Sequence, residues 1–470
     1  MILHTIKTEG LSALSYFIAD EEAGCAAVVD PRRDVDVYLD FAKKHGVRIT
    51  HVIETHIHAD FVSGARELCT LTSATVYGGP GDYGFDVHKL QDGEELTLGK
   101  LELRALHTPG HSPDAISLVL SGGGLGAEGE WALLSGDTLF NAEVGRPDLA
   151  SGVSAEDGAR QLHHSLTEKF GALDDGLLVL PAHGHGSPCG GRIGIRDCTT
   201  LGYERQHNPH FKATDEASFV TNLTSDLPPQ PSYYGRVKKL NASGPGYLGV
   251  RPATPWLSPQ DFREAMEDPD SVVLDAREIE AYASAHLDGS LNIALRDAFP
   301  IHAGWMLAPH HRLLIVLDSP DHEEIVERHL LRLGLESILG FLRHGMRGWI
   351  EAGLPWRQGG QMSVQELRAC LDANDDVQVL DVRRPDEWRT GHVPTAKHAF
   401  LGTLWEDLPK LGLDPERPVA VYCGSGYRSS MAVSILERHG FKDARNVLGS
   451  VSAWKAAGFD LSLPSEVSRA

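Results

Sequence analysis

The sequence has no Cys-x-x-Cys pair, no long apolar run and no excess of basic residues. Its six cysteines are scattered over 470 residues, which argues against a disulfide framework or a structural zinc site. No apolar stretch approaches the roughly 20 residues of a membrane helix, so we expect no membrane contact. The formal net charge of -22 disfavours nucleic-acid binding, which depends on a basic surface.

The first residues also lack the basic region and apolar stretch that are typical of a signal peptide. Together with the isolated cysteines, this predicts a cytoplasmic protein. A chain of 470 residues exceeds the size at which one hydrophobic core stops growing, so several domains are expected. The sequence leaves homo-oligomerisation open.

Polar clusters follow four apolar strands in the first half of the chain. They are His56, His58 and Asp60 after ITHVIE, His111 in HTPGH, Asp137 in SGDTLF and His183 in PAHGHG. Functional sites commonly form at the strand ends of layered α/β folds. Four clusters of metal-ligating residue types in one chain therefore predict a metal site.

The second half of the chain contains an internal repeat. The segment SVVLDAREIEAYASAHLDGSLNIAL from Ser271 matches VQVLDVRRPDEWRTGHVPTAKHAFL from Val377. Strand and helix patterns alternate in both copies, which predicts two small α/β domains. A stretch rich in proline, serine and glycine at about residues 225–256 is typical of an extended connection.

A loop near the C-terminus has the residues of a reactive cysteine site. A strand delivers Cys423, Arg428 closes the loop, and a helix is expected to begin near Ser429. In such a loop the backbone N–H groups between the cysteine and the arginine point inward, so we expect them to bind the substrate anion; these residues are Gly424, Ser425, Gly426 and Tyr427. The helix N-terminus and Arg428 add positive potential, which lowers a thiol pKa and stabilises a thiolate or persulfide. The alternative is a buried, unreactive cysteine.

The other copy of the repeat lacks these residues. Alignment of LLIVLDSPDHEE with VAVYCGSGYRSS puts Asp318 at the position of Cys423 and Glu323 at that of Arg428. An aspartate cannot carry sulfur, and Glu323 repels an anion. We therefore expect the first copy to be inactive.

Residues 1 to about 240 resemble the metallo-β-lactamase fold family through THIHAD, HTPGHS, SGDTLF and PAHGHG. Hydrolases of this family, such as glyoxalase II, bind two metals. The resemblance implies that the second metal would use Asp60, the residue at 61, Asp137 and His183. Phe61 has no lone pair with which to bind a metal, so a dinuclear hydrolase is disfavoured.

The persulfide dioxygenases of the same family use a single Fe(II). The resemblance of this chain to these dioxygenases implies one Fe(II) per chain, bound by His56, His111 and Asp137. Two histidines and a carboxylate also match the facial triad of non-haem iron oxygenases. The residues expected to orient these ligands or bind water are His58, Asp60 and His183. Zinc stays open as the metal, because imidazole and carboxylate suit it as well.

Two further residues fit the dioxygenase resemblance. Arg146, in NAEVGRPDL, corresponds to an arginine expected to hold a carboxylate of a glutathione-like thiol; an ordinary ion pair is the alternative. Cys189, in GHGSPCGGRIG, resembles the context of dioxygenases fused to sulfurtransferases. It is expected to accept sulfur near the iron, and the alternative is a thiol that only packs.

Residues from about 360 to 465 resemble a rhodanese domain through DVRRPDEWRTGHVPTA and the Cys423 loop. Cysteine-dependent phosphatases with a similar loop have five residues between the cysteine and the arginine, which makes room for phosphate. Here four residues separate Cys423 from Arg428. The tighter loop favours sulfur transfer.

These inferences predict an α/β protein of three domains. A metallo-β-lactamase αββα sandwich at 1–245 precedes an inactive rhodanese-like domain at 246–358 and an active one at 359–470, each with a central parallel sheet. The expected activity is oxidation of a low-molecular-weight thiol persulfide, such as glutathione persulfide, with O2 to sulfite and thiol. Rhodanese sulfur transfer would make or consume thiosulfate. The alternatives are a dinuclear-zinc thioester hydrolase fused to a sulfurtransferase, and a non-catalytic sulfur carrier.

Overall fold

The computed structural model describes residues 1–123, 129–150, 152–212 and 215–463. The chain divides into two compact units. The first is Met1–Arg251 with Leu331–Gly334, and the second is Pro252–Leu330 with the residues from Leu335 onward. Every metal motif therefore falls in the first unit, and the Cys423 loop falls in the second. In the described ranges, no helix combines the length and apolarity needed to cross a membrane.

Two sheets of six strands form the described part of the first unit. The first sheet has the order β1 (Ile2–Thr8), β2 (Ala13–Asp20), β3 (Cys25–Val29), β4 (Arg48–Ile53), β5 (Thr75–Gly78) and β6 (His88–Lys89). The second has the order β14 (Thr199–Thr200), β13 (Leu178–Pro181), β10 (Glu130–Gly136), β9 (Ile116–Gly122), β8 (Leu101–His107) and β7 (Glu95–Leu98). A short hairpin pairs β11 (Leu139–Phe140) with β12 (Glu143–Val144).

The two sheets pack face to face and carry helices on their outer faces. The helices that contribute to these outer cores are α1 (Asp36–His45), α2 (Ala65–Thr72), α3 (Ala155–His164), α4 (Leu201–His207) and α5 (Glu216–Thr224), and a π-helical turn at Ser165–Lys169 follows α3. A sixth helix, α6 (Tyr234–Ser243), bonds through Asn241 to the chain that follows β4. Ile18 and Leu118 belong to the core between the sheets. Their strand neighbours Phe17 and Val119 face outward and pack in the cores that include α1 and α3. This alternation buries both faces of each sheet and confirms the predicted αββα sandwich.

The extended connection predicted at about residues 225–256 is wrong in part. Helix α6 lies inside this stretch and belongs to the first unit. Tyr234, Val237 and Asn241 are buried along one side of it, at the spacing of a helix face. This pattern of buried residues is hard to recognise in the sequence, because the helix is short and follows several prolines.

The second unit contains two five-stranded parallel sheets in its described residues. The first copy has the order β15 (Trp256–Leu257), β19 (Ile338–Leu342), β18 (Arg312–Val316), β16 (Ser271–Asp275) and β17 (Leu291–Asn292). The second copy has the order β20 (Gly360–Met362), β24 (Ala444–Val447), β23 (Val419–Tyr422), β21 (Gln378–Asp381) and β22 (Lys397–His398). Counted within each copy, both orders are 1-5-4-2-3, so the fold repeats as the sequence does.

Five helices accompany each sheet over the residues described. In the first copy they are α7 (Pro259–Ala265), α8 (Ile279–Ser284), α9 (Phe299–Met306), α10 (Glu323–Arg332) and α11 (Gly345–Glu351). In the second copy they are α12 (Val364–Ala373), α13 (Pro385–Arg389), α14 (Leu404–Asp407), α15 (Tyr427–Arg438) and α16 (Ser450–Ala456). Short 3-10 turns occur at Pro320–His322, Leu401–Thr403 and Leu408–Lys410.

The same side-chain contacts recur in the two copies. Asp275 pairs with Arg277 in the first copy, as Asp381 pairs with Arg383 in the second. Each copy also ends with a buried tryptophan, Trp349 or Trp454, that donates to the backbone carbonyl six residues later. The predicted pair of α/β domains is confirmed, whereas the predicted boundaries at 245 and 358 stay predictions.

Candidate metal centre and sulfur-transfer loop

Three of the predicted metal ligands meet at strand ends in the first unit. His56 follows β4, His111 follows β8 and Asp137 follows β10, and all three side chains are buried. One ligand atom from each lies within 4.8 Å of the others. The Nε2 atoms of His56 and His111 lie 3.7 and 3.3 Å from Asp137 Oδ2. The fold thus brings together the set that the motifs predict.

Hydrogen bonds fix which nitrogen of each histidine carries the proton. His111 Nδ1 donates to the Arg146 carbonyl at 3.0 Å. His56 Nδ1 lies 3.0 Å from Thr55 Oγ1, whose single hydrogen goes to Asp30 Oδ2 at 2.8 Å. Thr55 therefore accepts from His56 Nδ1. In both rings the Nε2 lone pair is left facing the centre, which is the arrangement of a metal-binding histidine.

Asp137 Oδ2 has no hydrogen-bond partner although it is buried. An orphaned buried carboxylate oxygen is costly unless a missing group satisfies it. The two histidine nitrogens that face Asp137 Oδ2 carry lone pairs and no hydrogen. Neither histidine can therefore donate a hydrogen bond to this oxygen. A cation fits these three acceptors, and their chemistry suits Fe(II) or Zn²⁺.

The charge states of these residues also suit a metal ion. Burial and the neighbouring His58 lower the pKa of His56 well below its ordinary value, and burial lowers the pKa of His111. Burial alone would raise the pKa of Asp137, but the surrounding histidines, His183 first, hold it well below the usual range. Neutral imidazoles beside an ionised carboxylate are the forms that bind metals.

His183 lies behind Asp137 and bonds to carboxylates through both ring nitrogens. Its Nδ1 is 2.7 Å from Asp137 Oδ1, and its Nε2 is 2.9 Å from Asp60 Oδ2. Burial opposes protonation, but the surrounding negative groups, Asp137 first, raise the pKa of His183 well above its ordinary value. His183 thereby orients Asp137 so that Oδ2 is left for a metal.

His58 lies beside the His56 ring, at a centroid distance of 4.2 Å, but is not part of the group formed by His56, His111 and Asp137. Its Nε2 lies 3.1 Å from Asp30 Oδ1, without the alignment of a hydrogen bond, and 3.6 Å from Glu54 Oε2. Burial alone would lower the pKa of His58, but these carboxylates raise it to about 9. The buried Phe61 ring packs on His58 at a centroid distance of 4.4 Å. His58 thus offsets the charge of buried acids, and Phe61 supplies an apolar surface beside it.

Asn241 holds the loop from His58 to Ser63, and no sequence motif predicts this role. Its Nδ2 donates to the carbonyls of His58 and Phe61 at 2.8 and 2.7 Å, and its Oδ1 accepts from the Ser63 N–H at 2.9 Å. Asp114 adds a bond of 2.6 Å from the Ile57 N–H. Asp114 follows the HTPGHS motif and could have been noticed there, whereas Asn241 lies in the stretch that was interpreted as a connection.

Arg146 is buried and its guanidinium is already paired. Its Nε and Nη2 donate to the Asp148 carboxylate at 2.7 and 2.8 Å, and Nη2 also donates to the Pro228 carbonyl at 2.6 Å. This is the ion pair weighed as the alternative, so a substrate carboxylate would have to displace Asp148. Binding of substrate by Arg146 stays a prediction. The main chain of Arg146 has a clear role, because its carbonyl orients His111.

Cys189 lies beside the metal ligands. A ligand atom of Asp137, one of His183 and the Cys189 sulfur all lie within 4.8 Å of one another. The sulfur is 3.7 Å from the Tyr234 hydroxyl. Burial raises the pKa of Cys189 well above that of an ordinary thiol, which favours the neutral form. Its acceptance of sulfur stays a prediction.

The Cys423 loop forms a cradle around the sulfur in the second copy. Cys423 is buried at the end of β23, and the Gly426 N–H points at its sulfur at 3.2 Å. Helix α15 begins at Tyr427, so the expected start near Ser429 is wrong by two residues. Gly426 has a φ of 113°, a backbone conformation that glycine adopts without strain, and it turns the chain into the helix early. The other loop residues differ in exposure: Gly424 is half-buried and Ser425 is exposed.

Positive charge and hydrogen bonds favour the thiolate of Cys423. Burial alone would raise its pKa, but Arg428 and the bonds from Ser429 and Gly426 lower it below that of an ordinary thiol. Arg428 is held by Glu387 through two bonds of 2.6 and 2.8 Å. Glu387 was not singled out from the sequence, although it lies within the DVRRPDEW segment. Its bidentate grip fixes the arginine beside the loop.

The first copy has no such cradle at the equivalent positions among the residues described. Asp318 is exposed and accepts from the Glu278 N–H at 3.0 Å. Glu323 accepts from the Trp256 indole at 2.8 Å. These acidic groups have structural partners of their own, which supports the prediction that this copy carries no sulfur.

Comparisons with known proteins agree with this architecture. The metallo-beta-lactamase superfamily pattern matches residues 8–183, and the rhodanese-like domain pattern matches 258–352 and 363–457. A probable hydroxyacylglutathione hydrolase of Schizosaccharomyces pombe is 30% identical over 226 residues, which cover 43% of this chain and 83% of that protein. The chain belongs to the metallo-β-lactamase superfamily, and it carries two rhodanese-like domains after the metal-binding domain.

A solved structure shows the same relationship. A metallo-beta-lactamase from Staphylococcus aureus is 33% identical with a TM-score of 0.65, and the match covers 73% of this chain and 98% of that one. The structure of ETHE1 from Myxococcus xanthus is 29% identical with a TM-score of 0.45, covering 52% of this chain and 99% of that one. The Staphylococcus match is too long to be confined to residues 8–183, so it extends beyond the metal-binding domain.

Proposed function

We propose that this protein is a persulfide dioxygenase joined to a rhodanese sulfurtransferase. A thiol persulfide, O2 and water would give thiol, sulfite and two protons. The observation that carries this proposal is a three-ligand site at His56, His111 and Asp137, with Phe61 where a second metal would need a histidine. One Fe(II) per chain at this site would supply the redox chemistry by which O2 oxidises the terminal sulfur.

The chain's own residues prepare the site for this reaction. His183 holds the Asp137 carboxylate through Oδ1, and the Arg146 carbonyl and Thr55 hydroxyl fix the two histidine rings. Three protein ligands leave open positions for small reactants, as facial triads do. The Cys189 thiol lies next to these ligands, where it could accept sulfur.

Sulfur transfer is proposed for the Cys423 loop. The Cys423 thiolate attacks the outer sulfur of thiosulfate, a new S–S bond forms, and the electron pair of the old S–S bond leaves with sulfite. The Gly426 N–H and Arg428 stabilise the anionic persulfide that results. Attack by a second thiolate then removes the sulfur. The reverse direction would make thiosulfate from the sulfite that oxidation releases.

Oxygen uptake with glutathione persulfide tests the proposed oxidation. Uptake should require iron and disappear in His111→Ala, because one of three ligands is lost. His107→Gln is a matched control from the same HTPGH motif, since the His107 side chain bonds to the Leu90 carbonyl and is outside the ligand group. Uptake that persists in metal-free protein would contradict the proposal.

A thioester hydrolase is the second candidate, and a specific observation favours it. Ligand atoms of His58, Asp60 and His183 also lie within 4.8 Å of one another, and a relative that matches the chain is described as a probable hydroxyacylglutathione hydrolase. This candidate requires about two zinc ions per chain and turnover of a hydroxyacylglutathione thioester. Elemental analysis with a thioester assay distinguishes it from the dioxygenase.

A further inference from the structure

The first copy of the repeat contacts the sulfur-transfer loop of the second copy at several points. The Tyr427 hydroxyl donates to the Ala294 carbonyl at 2.8 Å. The Arg296 guanidinium lies 5.2 Å from the centre of the Tyr427 ring, within cation–π range. The His302 ring meets the same ring edge-on at 5.2 Å. A single loop residue is therefore held by three residues of the copy that lacks a nucleophile.

Contacts on either side of Tyr427 extend this grip. Ser430, in the first turn of α15, bonds to Asn292 Oδ1 at 2.7 Å, and Ser434 accepts from the Asn292 N–H at 3.2 Å. Before Tyr427, a Cβ added at Gly426 would stand 3.8 Å from Ile279 Cδ1. The first copy thus contacts the loop and the first part of α15 from Gly426 to Ser434.

Tyr427 stands between the two groups that stabilise the sulfur anion. Gly426, which precedes it, points its N–H at the Cys423 sulfur, and Arg428, which follows it, supplies the positive charge. A rotation of Tyr427 would therefore displace both groups. Reacting groups that are misplaced by about 1 Å can lose on the order of 100-fold in rate.

His302 is suited to a contact beside Arg428. Burial, with Arg428 as the second cause, lowers the pKa of His302 to about 3. The ring is therefore neutral at physiological pH and does not compete with Arg428 for the anion. A neutral, buried ring against Tyr427 supports the loop by packing.

We propose that the first copy acts as a positioning element for the sulfur-transfer loop, through the grip of Ala294, Arg296 and His302 on Tyr427. The proposal rests on the proposed sulfur transfer at Cys423. It assigns a role in that reaction to a domain that has lost its own nucleophile. Ala294, Arg296 and His302 act through Tyr427, so they are positioning residues rather than catalytic ones.

Two variants test the contacts that the first copy makes with Tyr427, and they differ in how much they disturb the packing. Tyr427→Phe removes only the bond to Ala294, and His302→Leu removes the ring contact. Sulfur transfer from thiosulfate to cyanide, which yields sulfite and thiocyanate, should lose about tenfold in kcat with a smaller change in KM. The pH midpoint for alkylation of Cys423 by iodoacetamide should rise, because the groups that stabilise the thiolate are displaced.

Arg438→Met is the matched control at the other end of α15. Arg438 donates to the Gly289 carbonyl of the first copy, far along the helix from the loop. This variant should leave kcat and the alkylation midpoint unchanged. Equal losses in Arg438→Met, or unchanged kcat and midpoint in both Tyr427→Phe and His302→Leu, would overturn the proposal. If the wild-type protein transferred no sulfur, the proposed function would fail, while the alkylation midpoints would still test the grip.

Discussion

Phe61 is the residue on which the proposed choice between oxidation and hydrolysis depends. It is buried against the His58 ring, at the position where a dinuclear hydrolase would need an imidazole. The sequence alone predicts the missing ligand, because phenylalanine has no lone pair. It could not predict that His58 lies beside Asp30, since Asp30 belongs to a different segment of the chain.

Phe61→His should increase the capacity for a second metal. A histidine here would join Asp60, Asp137 and His183, so zinc-loaded protein should rise from about one toward two ions per chain by elemental analysis. The metal-free variant should lose about 1–3 kcal/mol of unfolding free energy, because an imidazole replaces a buried ring. Phe61→Leu is the control, and its zinc content should stay near one. An unchanged zinc content in Phe61→His would mean that Phe61 only packs.

The Cys423 thiolate should depend on Arg428. The lowered pKa means that the reactive thiolate is present above this pKa and is lost as pH falls through it. Arg428→Gln removes the positive charge and should move the alkylation profile to higher pH, with slower sulfur transfer at pH 7. Arg438→Gln, on the last turn of the same helix, is the control. Coincident profiles for wild type and Arg428→Gln would contradict this account of the thiolate.

At the scale of elements, the strands that carry the motifs were more predictable than helix α6 and the start of helix α15. Motifs such as HTPGH and SGDTLF lie directly after apolar strands, and strand ends of a layered fold meet at one edge. The internal repeat predicted two matching sheets, and their strand orders agree. Helix α6 was not predicted, because it is short and a proline-rich segment precedes it. The start of α15 was missed because the left-handed turn at Gly426 depends on local geometry.

Asn241→Ala should loosen the metal loop from α6. The substitution leaves the His58 and Phe61 carbonyls and the Ser63 N–H without their partner. Unsatisfied buried groups cost about 1–3 kcal/mol, so chemical denaturation should show a loss of about 2 kcal/mol and metal should dissociate faster. The exposed Asn222 provides the control: Asn222→Ala should change stability by less than about 0.5 kcal/mol. Equal stability of the two variants would show that the α6 contact is dispensable.

At the scale of the whole molecule, one chain joins a metallo-β-lactamase-type domain to two rhodanese-like domains. Within the part of the chain that the structure describes, the candidate metal ligands lie in the first unit and Cys423 lies in the second. The classes of domain and their order were predictable from motifs, because each class has its own local signature. The pairing of Arg146 with Asp148 was not predictable from the sequence. A buried arginine in a loop can pair with any of several carboxylates that lie near it in the sequence.

Cys423→Ser should separate the two chemistries. With glutathione persulfide supplied directly, the variant should consume oxygen at the wild-type rate, because the metal ligands are untouched. With thiosulfate and glutathione instead, persulfide must first be made at Cys423, so the wild type should consume oxygen and the variant should not. Oxygen uptake by Cys423→Ser on thiosulfate and glutathione would show that another group transfers the sulfur.

The most direct test of the central claim is oxygen uptake during titration of metal-free protein with Fe(II), with glutathione persulfide as substrate. The account predicts no uptake without metal, a linear increase with added iron, and saturation at one iron per chain. Oxygen uptake by the metal-free protein would contradict the account. It would also be contradicted if the protein held two zinc ions, hydrolysed a thioester and took up no oxygen when loaded with iron.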